Sequence, residues 1–280
     1  MLIETDSDRG NAALWRSFHR AFEVSLADTE AERQAIYRFR YHIFCEKLGF
    51  IDPRPFRDRQ EKDDFDKHSL HCYVTHRASG KIAGCVRLVT VDASNDLPLE
   101  RYCRGGLHAA TLRHLRSRRG HVAEISRLAV ACPFSMHVHR DGRDSLTNEI
   151  AELSHAEQQS FPHVAFCLMA AAASCADVLR RNECYALMER TLRVRLKRIG
   201  IATMRMGDDV EYEGTVAPYL LEIDDAVRSL PLDYRLFYDR VRELVGDTLC
   251  PVHARPLRER DQEGSNEALG SGLMHAWRWR

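Results

Sequence analysis

From His163 to Leu179 the chain reads HVAFCLMAAAASCADVL, apolar nearly all round and rich in alanine, and no other stretch constrains the fold as much. A helix without a polar face has to be enclosed by other elements. It is also shorter than the roughly 20 apolar residues that a membrane crossing takes. The remainder of the chain must therefore supply layers to cover it. With 280 residues and a 44% apolar share, it can.

The covering elements can be read in order. Thr29 stands three residues before Glu32, the spacing of a capping box; Ile36, Phe39, Ile43, Phe44 and Leu48 then repeat on one face, and Gly49 stops the helix. A hairpin follows, with strands over 71–76 and 81–91 and a turn at Ser79-Gly80. After a long basic connection, HVAEISRLAVA (121–131) forms another strand whose alternation is imperfect, as though something bends it. Beyond the alanine-rich helix come a strand at 184–188, a helix at 191–199 ended by Gly200, and strands at 201–206 and 215–223. An α/β (α+β) fold, a mixed sheet with helices on both faces, packs this order most economically. Apolar rhythm is missing from the beginning, near 135–160 and after about 250, so the expected division is a polar segment 1–21, a main domain over 22–248 and a polar tail over 249–280.

Composition removes several classes of function. Forty-one basic residues balance forty-one acidic ones, so wholesale attraction to nucleic acid or an anionic membrane is not expected. Few aromatic residues accompany the arginine run after 100, which argues against stacked single-stranded nucleic acid. The opening MLIETDSDRG lacks the basic flank and apolar run of a secretory signal, and no transmembrane segment follows, so a cytoplasmic protein is expected. The nine cysteines form no C-x-x-C pair and read as reduced core residues; Cys45 and Cys85 read as small buried hydrophobes rather than nucleophiles. Cys132, His137 and His139 offer only three ligands in a spacing that matches no finger pattern, so no metal is expected.

Four short strings carry the functional reading. RYHIFCEKLGF contains Arg40, Phe44, Leu48 and Phe50; DDFD contains Asp63 and Asp66; GCVRLV contains Arg87; AEISRLAV contains Glu124, Ser126 and Arg127. In order and spacing they resemble the R-x-x-x-F-x-x-x-L-x-W, D-x-x-D, RL and E-x-SR signatures of acyl-homoserine-lactone synthases, over about 22–223. The resemblance implies the GNAT fold, a mixed central sheet whose two middle strands splay apart to admit a thioester arm, with helices on its flanks. Within that superfamily the chain looks closest to the acyltransferases of PEP-CTERM and exosortase systems, which are similar to N-acyl amino acid synthases. Phe50 stands where the lactone synthases have tryptophan, and 135–160 is long, polar and histidine-bearing; both leave the acceptor and the acyl chain open.

What the resemblance implies can be set against chemistry. Moving an acyl group from a thioester to an amine requires an amine free of its proton, a donor for the developing oxyanion, and a means of holding both reactants. Glu124 is the expected base, directly or through water; the alternative is a plain ion pair with a nearby arginine. Backbone N–H groups where the Glu124 strand leaves its neighbour are the expected oxyanion donors. Ser126 shares a face with Glu124 in a regular strand while Arg127 points to the other, unless a bulge intervenes. Arg40, Phe44, Phe50, Asp63, Asp66 and Arg87 correspond to the substrate-binding side, with a buried structural network as the alternative for Asp63 and Asp66.

No tightly bound cofactor is implied. The co-substrate is an acyl-phosphopantetheine thioester, and because no R-x-x-G-x-G/A string follows Ala131, acyl carrier protein is preferred to coenzyme A. Carrier proteins are acidic, so the basic run Arg101, Arg104, Arg113, Arg116, Arg118 and Arg119 is a docking candidate, with a solvated loop as its alternative. A second basic set, Arg190, Arg193, Arg195, Lys197 and Arg198, lies on a helix. The function expected is N-acyl transfer to an amino acid or similar small amine. Its rivals are a homoserine-lactone synthase using S-adenosylmethionine and a catalytically silent acyl-binding module.

Overall fold

The computed structural model describes residues 13–92, 95–131, 162–212 and 214–254. Its elements run α1 (Ala13–Ala21), β1 (Phe22–Leu26), α2 (Glu30–Arg40), a π-helical turn (Tyr41–Lys47), a 3-10 turn (Asp64–His68), β2 (Ser69–His76), β3 (Ile82–Thr90), α3 (Pro98–Tyr102) and α4 (Ala109–Ser117). They continue with β4 (Val122–Val130), α5 (Pro162–Val178), β5 (Glu183–Met188), α6 (Arg190–Arg198), β6 (Met204–Arg205), β7 (Val210–Glu211), β8 (Thr215–Glu222), α7 (Ile223–Ser229) and α8 (Leu232–Ala254). The sheet order is β1-β2-β3-β4-β5-β8-β6, with β7 paired to β8, and only β4 and β5 run parallel. No described helix is long and apolar enough to cross a membrane.

Local chemistry accounts for much of this. Thr29 and Glu32 close the capping box at the start of α2, satisfying backbone donors that the first turn leaves free. The helix then widens into its π turn and stops at Leu48, where Gly49 takes φ +63°; glycine alone adopts that geometry without a side-chain penalty. Gly84 serves a different need. A Cβ there would sit 2.7 Å from the Ala129 carbonyl oxygen and 2.8 Å from Leu168 Cδ1, so its absence lets α5 settle directly on the sheet.

The alanine-rich segment is enclosed, as its composition requires. Val164, Cys167, Leu168, Ala171, Ala172, Cys175 and Ala176 are buried in the largest core. The first twenty residues lack an apolar rhythm, yet Phe18 of α1 is buried with its ring 5.0 Å from that of Phe237 on α8. A few well-placed aromatics hold α1 against α8 where a running average sees only polarity. The connection after β3 is also more ordered than a basic loop. Leu97, Leu99, Leu107 and Leu115 bury themselves in a second core on the other face of the sheet, and this fixes α3 and α4. The strand expected over 201–206 shrinks to Met204–Arg205.

Candidate active site

The middle strands meet only briefly. β4 and β5 pair at Val122–Glu183, Ala123–Cys184 and Glu124–Tyr185, and the ladder ends there. The Arg181 guanidinium pins the joined end, donating to the carbonyls of Val91, Arg119 and Val122. Past Glu124 the strands part around a cavity of about 280 Å³. One side of its lining is Phe44, Pro98, Glu124, Arg127 and Tyr212; the other is Phe166, Met169, Ala170 and Ala173 of α5 with Leu192, Leu196, Leu230 and Tyr238. The helical residues pack with the largest core, while two other lining residues, Leu187 and Phe44, pack with cores on the opposite face. The cavity therefore passes through the sheet, apolar on the helical side and charged on the other.

Glu124 lies at this passage, 1% exposed. Burial pushes its carboxyl up to about 8, against the Leu99 N–H and the charges of Arg87 and Arg127, which favour ionisation. The Leu99 N–H, in the first turn of α3, donates to Glu124 Oε2 at 2.8 Å. A carboxyl poised near neutral pH on a cavity wall can pass a proton to or from a bound group.

Beside it, three arginines and three carboxylates close a ring. Arg40 Nε donates to Glu61 Oε2 (2.5 Å), and Glu61 Oε1 accepts from Arg127 Nε (3.2 Å). Arg127 Nη2 stands 3.6 Å from Asp63 Oδ2, and Asp63 Oδ1 accepts from Arg87 Nη1 (2.6 Å). Arg87 Nη1 reaches Asp66 Oδ1 (2.9 Å), which also accepts from Arg40 Nη1 (2.7 Å). Arg87 Nε donates to Ser126 Oγ at 3.1 Å, tying the ring to β4. Arg40 and Arg87 hold the Asp66 carboxyl far below the usual carboxylate range despite its burial. His71 sits near Asp66, fully buried, and burial lowers its ring to about 4, so it is neutral at pH 7.

The side chains expected from sequence separate into two groups. Phe44, Glu124, Ser126 and Arg127 line the cavity. Arg40, Asp63, Asp66 and Arg87 stand behind it; Arg40 is 0% and Arg87 1% exposed, and both are engaged with carboxylates. All four take part in the buried charge network, the arrangement weighed as an alternative for Asp63 and Asp66. Phe50 is 43% exposed, away from the cavity lining. For Arg127 the bulge alternative holds. A bulge sets Arg127 and Leu128 against Val86 alone, and Arg127 takes φ +53°, so its side chain joins Ser126 on the charged face instead of opposing it. Glu61 escaped notice because it belongs to none of the four strings, although it lies two residues from Asp63, as neighbours on one face of an extended segment do.

The docking arginines are unevenly available. Arg119 is paired with Glu100 and Asp96, Arg118 with Glu183, and Arg101 lies over the Phe65 ring at 4.4 Å; Arg104, Arg113 and Arg116 are exposed. On α6, Arg190, Arg193, Lys197 and Arg198 are exposed, and Leu192 and Leu196 of the same helix line the cavity. Cys45 and Cys85 are buried, and burial raises the Cys85 thiol to about 12, which removes thiolate character. Cys132, His137 and His139 lie outside the described residues.

Comparison with known proteins bears on the fold. Residues 39–139 match the acetyltransferase (GNAT) domain family. No curated protein matches. The structure of TofI in a ternary complex with an inhibitor and MTA is similar at TM-score 0.52 and 22% identity, covering 76% of this chain and 99% of that one. FeeM, an N-acyl amino acid synthase from uncultured soil microbes, is similar at TM-score 0.50 and 13% identity, covering 76% and 96%. The chain has a GNAT-like fold, a mostly antiparallel eight-stranded sheet flanked by helices, with the matched domain spanning Glu124 and the charge ring.

Proposed function

We propose that the protein is an N-acyltransferase that moves a fatty acyl group, long-chain for preference, from an acyl carrier protein thioester to the amino group of an amino acid or similar small amine. The observation that carries this reading is the cavity that crosses the sheet where β4 and β5 part, with Glu124 on its wall. An acyl chain fits the apolar side, among Phe166, Met169, Ala173 and Leu230, and its thioester carbonyl then reaches the slot. The acceptor occupies the charged side.

Glu124 in its ionised form takes a proton from the acceptor ammonium. The freed nitrogen pair attacks the carbonyl carbon, the C–S bond breaks, and the second proton that the nitrogen loses in becoming an amide goes to the leaving thiolate. Backbone N–H groups where β4 leaves β5, past Glu124, stabilise the oxyanion. Arg127 faces the acceptor, while Arg40, Asp63, Asp66 and Arg87 act through it and through Ser126 as supports. Exposed basic residues on α6, beside the cavity, favour an acidic carrier protein as donor. The likeness to PEP-CTERM and exosortase-associated enzymes rests on the sequence strings.

The test is to incubate the purified protein with acyl carrier proteins charged with varied chains and a mixture of amines, and to follow products by mass spectrometry. N-acyl amino acids are expected. A lactone formed from S-adenosylmethionine would favour the lactone synthase, and acyl binding without any product would favour the silent module.

A further inference from the structure

We propose that Glu61 is a positioning residue that holds the Arg127 guanidinium against the cavity, in opposition to the preference of the Arg127 backbone. A regular strand would turn residue 127 toward α5, on the face opposite Ser126. The bulge turns it back, but only by placing a residue with a side chain at φ +53°, a region that such residues adopt reluctantly. Something must retain it there. Glu61 is 1% exposed, accepts from Arg127 Nε through Oε1, and is itself fixed by Arg40 through Oε2 and by its own N–H donating to the Tyr37 carbonyl. Asp63, the other carboxylate near Arg127, stands at 3.6 Å, beyond hydrogen-bond length. The hydrogen bonds from α2 through Glu61 thus tie the Arg127 side chain to a fixed, buried carboxylate, with the Phe44 ring 5.9 Å from its guanidinium carbon.

The consequence can be read at Glu124. Its carboxyl is faced by Arg87 from β3, Arg127 from β4, Asp63 from the segment before the 3-10 turn and the Leu99 N–H from α3, with Tyr185 opposite on β5. A Glu61 that acted only as a nearby anion would raise the Glu124 midpoint, so removing its charge would lower it. A Glu61 that holds Arg127 in place has the opposite effect, because the released guanidinium no longer favours the Glu124 anion. The sign of the shift separates the two. In Glu61→Gln a single amide oxygen replaces two carboxylate oxygens and cannot accept from both arginines in the present geometry.

The experiment measures unfolding free energy from pH 5 to 10 for each protein and its Glu124→Gln partner, since their difference locates the Glu124 midpoint without any activity assay. In the Glu61→Gln background the midpoint should rise on the order of one unit. Arg127→Gly, which suits the positive φ and deletes the guanidinium, should raise it likewise, and the double variant should add nothing. If Glu61→Gln does not fold, Glu61→Asp keeps the charge and loses the reach, and should still shift the midpoint upward. A fall or no movement in the Glu61 variant, with a rise in Arg127→Gly, would overturn the assignment. Its meaning for turnover rests on the acyl-transfer reading above; the midpoint does not, so the two can fail separately.

Discussion

Glu124 faces Tyr185 in the last residue pair that β4 and β5 share. That register puts the carboxyl at the apex of the parting strands, where the cavity begins and water is largely excluded. Burial at this point, more than any single neighbour, raises its midpoint to about 8.

If the ionised carboxylate is the base, turnover rises with pH. Below the midpoint near 8, the rate should fall about tenfold per unit as Glu124 becomes protonated. Glu124→Gln should lower turnover by about 100-fold or more at neutral pH and flatten this limb. Initial rates between pH 6 and 9.5 decide it.

The same burial predicts a stability cost. The folded midpoint is raised above the ordinary 4.5, so the stability from keeping Glu124 protonated is complete below pH 4.5 and is lost as pH rises through 8. Relative to wild type, Glu124→Gln should gain stability over that window, by up to about 5 kcal/mol. Urea unfolding at pH 5 and pH 9 measures the difference.

The charge ring should behave as a buried unit. Asp66→Ala leaves Arg40 and Arg87 without their shared carboxylate, at a cost of about 3–5 kcal/mol. Because the Asp66 carboxyl is depressed in the fold, its contribution is present above the ordinary carboxylate midpoint and fades as pH falls below it. The gap between wild type and variant should thus narrow by about 1 kcal/mol from pH 7 to pH 3 and go on closing at lower pH, as denaturation curves at the two pH values would show.

Sequence revealed the fold more fully than the site. The Thr29 and Glu32 box, the turn at Gly80 and the enclosed alanine-rich helix follow from local spacing, and each forms as expected. The four strings located most of the polar residues around Glu124. What stayed hidden depends on contacts between distant segments. The uneven alternation in HVAEISRLAVA signalled a bend, yet only pairing with β3 decides that Arg127 swings toward Glu61. The π turn that carries Phe44 to the cavity has no sequence signature in RYHIFCEK. Phe50 resembled a binding residue by position but is half exposed and outside the cavity lining. The backbone turns at Gly49 and brings the Phe50 and Ile51 N–H groups back to the Phe44 carbonyl, where Ile51 rather than Phe50 packs inward.

The small residues of α5 should set the length of chain accepted. Ala170 and Ala173 line the apolar side, and Ala173→Phe would fill part of it. The longest acyl product should shorten by several carbons while folding persists, because the added ring enters existing space. Product masses from a mixed acyl donor pool give the answer.

The slot itself is open to one direct measurement. A pantetheine thioester with a photoreactive group near the end of its acyl chain, irradiated with the protein and mapped by peptide mass spectrometry, should label α5 between Phe166 and Ala173 and the 223–230 segment. It should also compete with unlabelled acyl thioester. Labelling confined to exposed surfaces, or unaffected by competitor, would contradict passage of an acyl chain through the sheet beside Glu124.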